Sequence, residues 1–137
     1  MSEKTLAQKL LVKPDQSLLI LNAPDHYINA LGTLPEGATV VYTTDGTYDA
    51  VHVFAFKKAD LDTLSAAAIA AVKPGGILWI MYPKKSGAIK TDITRDIGWE
   101  TIHAADWHGV TQILLDDTWS ALRFRPRSEI KVMTRKF

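Results

Sequence analysis

Uninterrupted apolar runs alternate along this chain with segments in which apolar residues recur every three or four positions. Short apolar runs bounded by turn residues are typical of strands that are covered on both faces, as in a parallel sheet. They predict four strands, at residues 18–21, 39–44, 49–56 and 77–82. Two further strands are predicted after them, at residues 99–105 and 113–125.

The segments with helical spacing predict helices at residues 1–13, 25–32, 60–72 and 91–97. The third is the clearest, because Leu61, Leu64 and Ala68 fall on one face and its small residues allow a close approach to a sheet. Strands that alternate with helices indicate an α/β fold, a three-layer sandwich around a mainly parallel, Rossmann-like sheet. The last predicted strand is expected to be antiparallel and half exposed, because its two faces differ in polarity.

The connection between the second and third strands admits two interpretations. Asp45 and Gly46 form a pair that favours a tight hairpin, which would make these strands antiparallel. The third strand is apolar almost throughout and is followed by a helix, as is typical of a central parallel strand. The six residues 43–48 reach about 20 Å when extended, which just suffices to cross the first strand. We favour the parallel arrangement.

Composition restricts the chemistry. The 137 residues include no cysteine, which excludes disulfides, cysteine-ligated zinc, iron–sulfur clusters and a cysteine nucleophile. A core can form at this length without such supports, and we predict a single domain over residues 1–137. No apolar stretch is long enough for a membrane-spanning helix, and residues 1–12 lack the features of a signal peptide. We therefore expect a cytoplasmic protein.

The net charge is only +1, but the charge is unevenly placed. From Arg123 onward there are six basic residues and one acidic residue, a balance of +5, so residues 1–122 carry −4. Residues 126–137 are expected to form a basic tail. Such a tail can bind nucleic acid or a partner, or it can fold back onto its own acidic domain.

The loops that follow the predicted parallel strands are the expected ligand site, because open parallel sheets bind ligands beyond the carboxyl ends of their strands. Three loops should meet there, at residues 22–24, 56–58 and 83–87. Their lysines and backbone amides favour a small anionic or nucleotide-like ligand. The candidate ligand-binding residues of this crevice are Asn22, Ala23, Pro24, Lys84, Lys85 and Ser86.

Histidines and carboxylates offer further candidates. His103, Asp106 and His108 are close in sequence but match no zinc spacing, so no metal site is predicted. His26 follows the first strand, where it could transfer a proton, whereas His52 lies in an apolar strand and is expected to be a hydrogen-bonded core residue. The chain has neither a Gly-x-Ser-x-Gly motif nor a phosphate-loop motif, which argues against hydrolases and nucleoside triphosphatases.

Aromatic and basic residues near the C-terminus suggest an interaction surface. Trp119 is expected to face solvent on the last strand beside Arg123 and Arg125, and exposed aromatic residues mark interfaces. Single-stranded bases could stack on Trp119 and contact the two arginines. A homodimer formed by pairing of edge strands is another use of this surface.

Several segments resemble known families. YDAVHVFAF at 48–56, followed by a helix and by VKPGGILWIMYP at 72–83, resembles the fourth strand, helix, turn and fifth strand of class I S-adenosylmethionine-dependent methyltransferases. More narrowly, LLILNAPDHY, LGTLPEG, MYPKKSG, TDITRD and DDTWSALRF are similar to a family of short bacterial proteins classified as a domain of unknown function. This second resemblance covers about residues 18–125 and implies a methyltransferase-like fold.

The loop after the first strand departs from the methyltransferase pattern. That family places a glycine-rich loop here so that the backbone can approach the cofactor, whereas residues 22–27 contain no glycine. An acidic residue after the second strand usually holds the ribose hydroxyls, and Asp45 is its candidate equivalent. The resemblance makes S-adenosylmethionine a candidate cofactor, whereas the glycine-free loop argues against it.

The sequence leaves three functions open. The first is a non-catalytic or cryptic binder of a small anionic or nucleotide-like ligand, held by the loop of Lys84 and Lys85. The second is a methyltransferase with an atypical, glycine-free cofactor loop. The third is binding of nucleic acid or a partner by the basic C-terminal strand and tail, with an affinity that falls steeply with salt. We favour the first.

Overall fold

The computed structural model describes residues 6–25, 27–43, 46–84, 91–94, 98–115 and 118–127. Within these ranges the strands are β1 (Ser17–Leu21), β2 (Thr39–Val41), β3 (Tyr48–Phe54), β4 (Val72–Pro83), β5 (Trp107–Leu114) and β6 (Trp119–Pro126). The helices are α1 (Leu6–Lys9), α2 (Tyr27–Ala30), α3 (Lys58–Ala71) and α4 (Glu100–Ala104). Helices and strands alternate from α1 to β2 and again from β3 to β5.

The strands form one six-stranded sheet in the order β2-β1-β3-β4-β6-β5. The first four strands in this order are parallel, and β1 pairs with β2 on one side and with β3 on the other. Because β2 and β3 both pair with β1, the hairpin interpretation is wrong and the parallel arrangement is confirmed. β2 ends at Val41, earlier than predicted, and Asp45 lies outside the described residues.

Within residues 99–105, predicted as a strand, residues 100–104 form helix α4, with Trp99 and Ala105 as its caps. The backbone N–H of His103 donates to the carbonyl oxygen of Trp99 at 2.9 Å, as in a helical turn. Trp99 and Ile102 are both buried in the same cluster on the α3 side of the sheet. Residues three positions apart share a face of a helix, whereas in a strand they would point to opposite faces.

Residues 113–125, predicted as one long strand, are divided between two antiparallel strands. The chain reverses between β5 and β6, where the backbone N–H of Leu115 donates to the carbonyl oxygen of Trp119 at 3.0 Å. β6 lies between β4 and β5, so it has a neighbouring strand on each side. The expectation of a half-exposed last strand is therefore wrong, while its antiparallel orientation is confirmed.

The sheet is covered on both faces, which gives three layers. On one face α3 and α4 pack through a cluster that includes Leu19, Val53, Leu61, Ile80, Trp99 and Ile102. On the other face α1, α2 and their flanking segments pack through a cluster that includes Leu10, Ile20, Tyr27, Phe54, Trp79 and Trp119. Successive residues of β3 alternate between the two clusters, as expected for a strand buried on both faces.

The helices match the sequence pattern unevenly. α3 starts slightly before residue 60 because Oδ2 of Asp60 accepts hydrogen bonds from the backbone N–H groups of Phe56 and Lys57, at 2.9 and 3.2 Å. The predicted helix at 1–13 is reduced to α1 among the described residues. Residues 91–94 are not helical, and residues 95–97 lie outside the described residues.

The fold is therefore α/β, with a six-stranded, mostly parallel sheet and an antiparallel pair of strands at its C-terminal side. This confirms the predicted fold class. In the part of the chain that the structure describes, no helix has the length and apolar character needed to cross a membrane.

Candidate functional site

The strand order indicates where a ligand should bind. β1 lies between β2 and β3, so the chain passes to one side of β1 and then crosses to the other. In open α/β sheets, ligands bind beyond the carboxyl ends of the strands, near such a reversal. The segments that leave these ends are the loop after β1, Tyr42 after β2 and the loop after β3.

A cavity of about 390 Å³ opens at the carboxyl ends of β1 and β2, and we call it the carboxyl-end cavity. The loop after β1 and side chains of β1, α2 and the end of β2 line it: Ile20, Asn22, Ala23, Pro24, Asp25, Tyr27, Ile28 and Tyr42. Its volume is in the range of roughly 300–1,000 Å³ that is typical of small-molecule sites. The cavity brings together three of the candidate ligand-binding residues, Asn22, Ala23 and Pro24.

One residue of the glycine-free loop has a glycine-like backbone. Asn22 has a φ of +61°, a left-handed conformation that asparagine tolerates better than most residues. Its Nδ2 donates to the carbonyl oxygen of Phe54 at 2.9 Å, so its side chain is tied to the end of β3. An asparagine thus makes a turn for which glycine is the usual residue, and it links the carboxyl ends of β1 and β3.

A buried tyrosine–histidine pair adjoins the carboxyl-end cavity, and its tyrosine is part of the lining. The hydroxyl of Tyr27 and Nδ1 of His52 share a hydrogen bond of 2.8 Å. Burial lowers the pKa of His52 to about 3 and raises the pKa of Tyr27, because removal from water disfavours the charged form of each. Both side chains are therefore neutral at physiological pH, and the expectation that His52 is a hydrogen-bonded core residue is confirmed.

Aromatic rings continue from Tyr27 beneath the carboxyl ends of the strands. Ring centroids are 4.5 Å apart between Tyr27 and Phe54 and 5.0 Å apart between Phe54 and Trp119, and Phe56 contacts Trp119 at 4.9 Å. All three contacts are edge to face, which is a favourable geometry. Trp119 is only 2% exposed, so the expectation that it faces solvent is wrong. The insertion of β6 into the sheet buries it, and it offers no surface for base stacking.

The lining of the carboxyl-end cavity combines polar and apolar surface, and it contains one acidic side chain. Among the described residues, the lining includes the carboxylate of Asp25 and neither lysine nor arginine. Tyr42 is 59% exposed, and beside it Ile28 adds apolar surface. An exposed aromatic ring at a cavity favours contact with a flat, partly apolar group. Sequence reasoning missed Tyr42, although its position at the end of the second predicted strand was a usable signal.

The loop that contains Lys84 also follows the carboxyl end of a strand, but it lies away from the carboxyl-end cavity. Lys84 follows β4, and its backbone N–H donates to the carbonyl oxygen of Thr118 at 2.8 Å, which extends the pairing of β4 with β6. Because β3 separates β4 from β1, the two strands are roughly 10 Å apart. Lys84 is not among the residues that line the carboxyl-end cavity. Lys85 and Ser86 lie outside the described residues, and so does His26.

The lysine at the start of α3 is paired with carboxylates. Nζ of Lys58 lies 2.9 Å from Oδ2 of Asp62 and 3.9 Å from Oε2 of Glu100. The hydrogen bond with Asp62 raises the pKa of Lys58, so its charge is retained and balanced on the α3–α4 side. Lys58 therefore does not join Asn22 in an anion site.

His103, Asp106 and His108 do come together in space. The rings of His103 and His108 stack with their centroids 5.3 Å apart, and Nε2 of His108 lies 3.2 Å from Oδ1 of Asp106. Within the described ranges, no group of three or more histidines and carboxylates is arranged to hold a metal ion. The cluster is a local contact between the end of α4 and the start of β5.

The two arginines of the predicted interaction surface are half-buried in β6. Arg123 pairs across the sheet with Trp79 on one side and Thr111 on the other, and Arg125 pairs with His108. Both share a face of β6 with the buried Trp119. A role of these arginines in binding a partner stays a prediction.

Comparison with known proteins identifies the fold. No protein-family model matches the chain, and no curated protein matches it in sequence. Among solved structures, the DhpI–SAH complex is 12% identical, with 89% of this chain and 82% of that chain covered at a TM-score of 0.61. The DhpI–SAM–HEP complex is also 12% identical, with 88% of this chain and 84% of that chain covered at a TM-score of 0.57.

Ribosomal protein L11 methylase from Lactobacillus delbrueckii subsp. bulgaricus is a third match, at 9% identity and a TM-score of 0.53, with 89% of this chain and 75% of that chain covered. Identities this low show the fold alone. The chain has the Rossmann-like α/β fold of S-adenosylmethionine-dependent methyltransferases, as the resemblance of residues 48–56 and 72–83 implied.

Proposed function

We propose that this protein binds S-adenosylmethionine, or the corresponding S-adenosylhomocysteine, in the carboxyl-end cavity. The observation that carries the proposal is the position of that cavity, beyond the carboxyl ends of β1 and β2 and against the loop that follows β1. The similarity to DhpI, which was solved with SAH and with SAM, supports this class of ligand. The proposal replaces the anionic ligand that the lysines had favoured.

The loop after β1 fits such a ligand although it contains no glycine. A glycine-rich loop is useful because its backbone can lie against a cofactor without obstruction by a Cβ. Here the left-handed turn is made by Asn22, and the bond from its Nδ2 to Phe54 holds the side chain toward β3. The small side chain of Ala23 follows directly. The backbone of residues 22–24 is thus the part of the loop we expect to contact the ligand.

The charge of the cavity favours S-adenosylmethionine over a phosphorylated ligand. The sulfonium and ammonium groups of S-adenosylmethionine are positive, and the molecule has no phosphate. Phosphate sites typically use lysine, arginine or backbone donors at helix N-termini. The described lining offers the carboxylate of Asp25 and no cationic side chain. We assign to Asp25 the role of accepting hydrogen bonds from the ribose hydroxyls or the ammonium group.

Tyr42 and Ile28 provide the surface for the adenine ring. They line the same cavity, and they are 59% and 38% exposed. Large exposed apolar groups at a cavity are stabilised when a flat ring covers them. Stacking on the ring of Tyr42 would therefore orient the adenine at the end of β2.

Calorimetric titration with S-adenosylmethionine and S-adenosylhomocysteine at physiological salt tests the proposal. We expect micromolar binding of at least one of the two. Tyr42→Ala should weaken it by about tenfold, because base–aromatic stacking is typically worth that much. The matched control is Leu114→Ala, which removes another exposed apolar side chain at the opposite edge of the sheet and should leave the affinity unchanged.

Asp25→Asn should also weaken binding, with the exposed Glu36→Gln as its control. The absence of heat up to millimolar ligand would contradict the proposal, as would equal affinities of the wild type and Tyr42→Ala. Methyl transfer would require an acceptor site in addition, and the described lining assigns none. The proposal therefore concerns binding.

A further inference from the structure

A second cavity lies at the opposite end of the sheet, where β1, β3 and β4 begin. Its volume is about 380 Å³, and we call it the amino-end cavity. The polar side chains in its lining are Lys13, Gln16, Asp49, Lys73 and Arg123. Three of them are cationic and one is anionic, so the lining has a net positive charge.

The three cations come from separate parts of the chain. Lys13 precedes β1 in a turn closed by its own backbone N–H, which donates to Oε1 of Gln16 at 3.0 Å. Lys73 belongs to the start of β4, and Arg123 lies in β6, whose backbone is paired on both sides. The fold thus places three cationic side chains from separate elements around one cavity.

Asp49 is the carboxylate among the described residues of this lining, and it has contacts of its own. Its Oδ2 accepts hydrogen bonds from the backbone N–H and Oγ of Ser17, at 2.9 and 3.3 Å, and these bonds lower the pKa of the carboxyl group. Its Oδ1 lies 3.4 Å from Nζ of Lys73, whose side chain is 46% exposed. Long, partly exposed ion pairs of this kind are weak. Lys73 can therefore turn from Asp49 toward an incoming anion.

The start of β4 is bulged beside this cavity. The register advances from Tyr48 to Ala50 on β3 but from Val72 to Ile77 on β4, so residues 73–76 loop out of the ladder. Gly75 has a φ of +77°, and a Cβ there would meet nothing within 4 Å. The bulge therefore borders open space, and bulges of this kind are frequent next to binding sites.

We propose that the amino-end cavity binds a phosphate group carried by a small molecule, with Lys13, Lys73 and Arg123 as its cationic ligands. Phosphate has several terminal oxygens and accepts charge-assisted hydrogen bonds from several donors at once, which suits cations that converge from three elements. A volume of about 380 Å³ leaves room for an organic group beside the phosphate. The site is separate from the carboxyl-end cavity, because the two lie at opposite ends of the same strands.

Calorimetric titration of the full chain with inorganic phosphate and with inorganic pyrophosphate, at constant ionic strength, tests this proposal. We expect saturable binding of at least one of them. Lys13→Ala and Lys73→Ala should each weaken it by about tenfold or more. Both lysines are exposed, so neither change should prevent folding. The control is Lys9→Ala, which removes the same charge from an exposed position outside the lining.

Three results would overturn the proposal. They are no saturable binding at millimolar concentrations, equal weakening by Lys9→Ala and Lys73→Ala, and binding of a single-stranded oligonucleotide without binding of phosphate or pyrophosphate. The last result would point to a nucleic-acid surface. Titration of Lys73→Ala with S-adenosylhomocysteine separates the two cavities, since its affinity for that ligand should equal that of the wild type.

Discussion

The two cavities lie at opposite ends of the same parallel strands, and they have nearly equal volumes, about 390 and 380 Å³. Their charges differ. In the described residues, the carboxyl-end cavity has one carboxylate and no cationic side chain, whereas the amino-end cavity has three cations and one carboxylate. Size therefore says little about the ligand here. The elements that supply the lining set the charge, and we propose that the charge sets the class of ligand.

The supports of the two cavities differ as well. The carboxyl-end cavity rests on buried groups, the hydrogen-bonded Tyr27 and His52 and the rings packed against Tyr27. The amino-end cavity rests on a turn before β1 and on the partly exposed ion pair of Asp49 and Lys73. We therefore expect changes of surface charge to affect only the second cavity, whereas a core substitution affects the cavity whose support it removes.

The largest expected effect comes from replacing Trp79, a core residue whose hydrogen bond holds the segment before the turn of Lys13. It is almost fully buried, and its Nε1 donates to the carbonyl oxygen of Leu10 at 2.9 Å, just before the turn of Lys13. Trp79→Ala should lower the free energy of unfolding by about 3–5 kcal/mol, as measured by urea denaturation. Trp79→Phe retains a ring and removes the hydrogen bond, at a cost of about 1–3 kcal/mol.

Trp79→Phe also tests whether the two cavities are supported independently. Because the segment of Leu10 leads into the amino-end cavity, this variant should weaken pyrophosphate binding more than S-adenosylhomocysteine binding. Equal weakening of the two ligands would mean that the cavities are not independently supported.

The next largest effect is the pH dependence that His52 gives to stability. Its pKa is about 3 in the folded protein, compared with the ordinary histidine value of 6.5 that applies to the unfolded chain. Between these values the unfolded chain binds a proton that the folded chain does not, so this contribution to stability is complete above 6.5 and is lost as the pH falls toward 3. The loss is about 1.4 kcal/mol per pH unit for one group.

Urea denaturation at about pH 7.5 and about pH 5 measures this slope, which should be shallower in His52→Gln than in the wild type. Glutamine cannot titrate, and it can still hydrogen-bond the hydroxyl of Tyr27. The same slope in both proteins would show that His52 is not held neutral behind the carboxyl-end cavity.

The parallel core could be predicted from the sequence, whereas in the C-terminal third only the antiparallel orientation of the last strand could. β1, β3 and β4 contain apolar residues that face both sides of the sheet, and these continuous apolar runs are visible in the sequence. At residues 99–105 the short apolar pattern suits a strand or a helix, and packing of Trp99 and Ile102 on one side of the sheet decides for the helix. The hairpin of β5 and β6 likewise depends on pairing with β4, which no local pattern shows.

The candidate site divides in the same way. The loop of Asn22 was predicted because a general rule places ligands at the carboxyl ends of parallel strands. Lys84 was expected beside it, but neighbourhood depends on strand order, and β3 separates the two loops. The amino-end cavity joins Lys13, which precedes β1, with Lys73 of β4 and Arg123 of β6, and so depends on the order and register of these strands. Such long-range pairing is not visible in the spacing of residues along the chain.

The smallest expected effect is that of Asp49→Asn, which tests the charge difference directly. Asparagine keeps the size of the side chain and can still accept a hydrogen bond from Ser17, but it removes the negative charge opposite Lys73. Because that ion pair is long and partly exposed, the loss in free energy of unfolding should be at most about 1 kcal/mol. The amino-end cavity becomes more positive, so pyrophosphate should bind several-fold more tightly, while S-adenosylhomocysteine binding stays unchanged.

Asp62→Asn is the matched control for this change, since it removes a charge on α3 that pairs with Lys58, outside the lining of either cavity. It should leave the affinity for pyrophosphate as it is. Weaker pyrophosphate binding in Asp49→Asn would show that Asp49 acts by holding Lys73 in position and not by opposing the anion. In that case the net charge of the lining would not account for the different ligands that we propose for the two ends of this sheet.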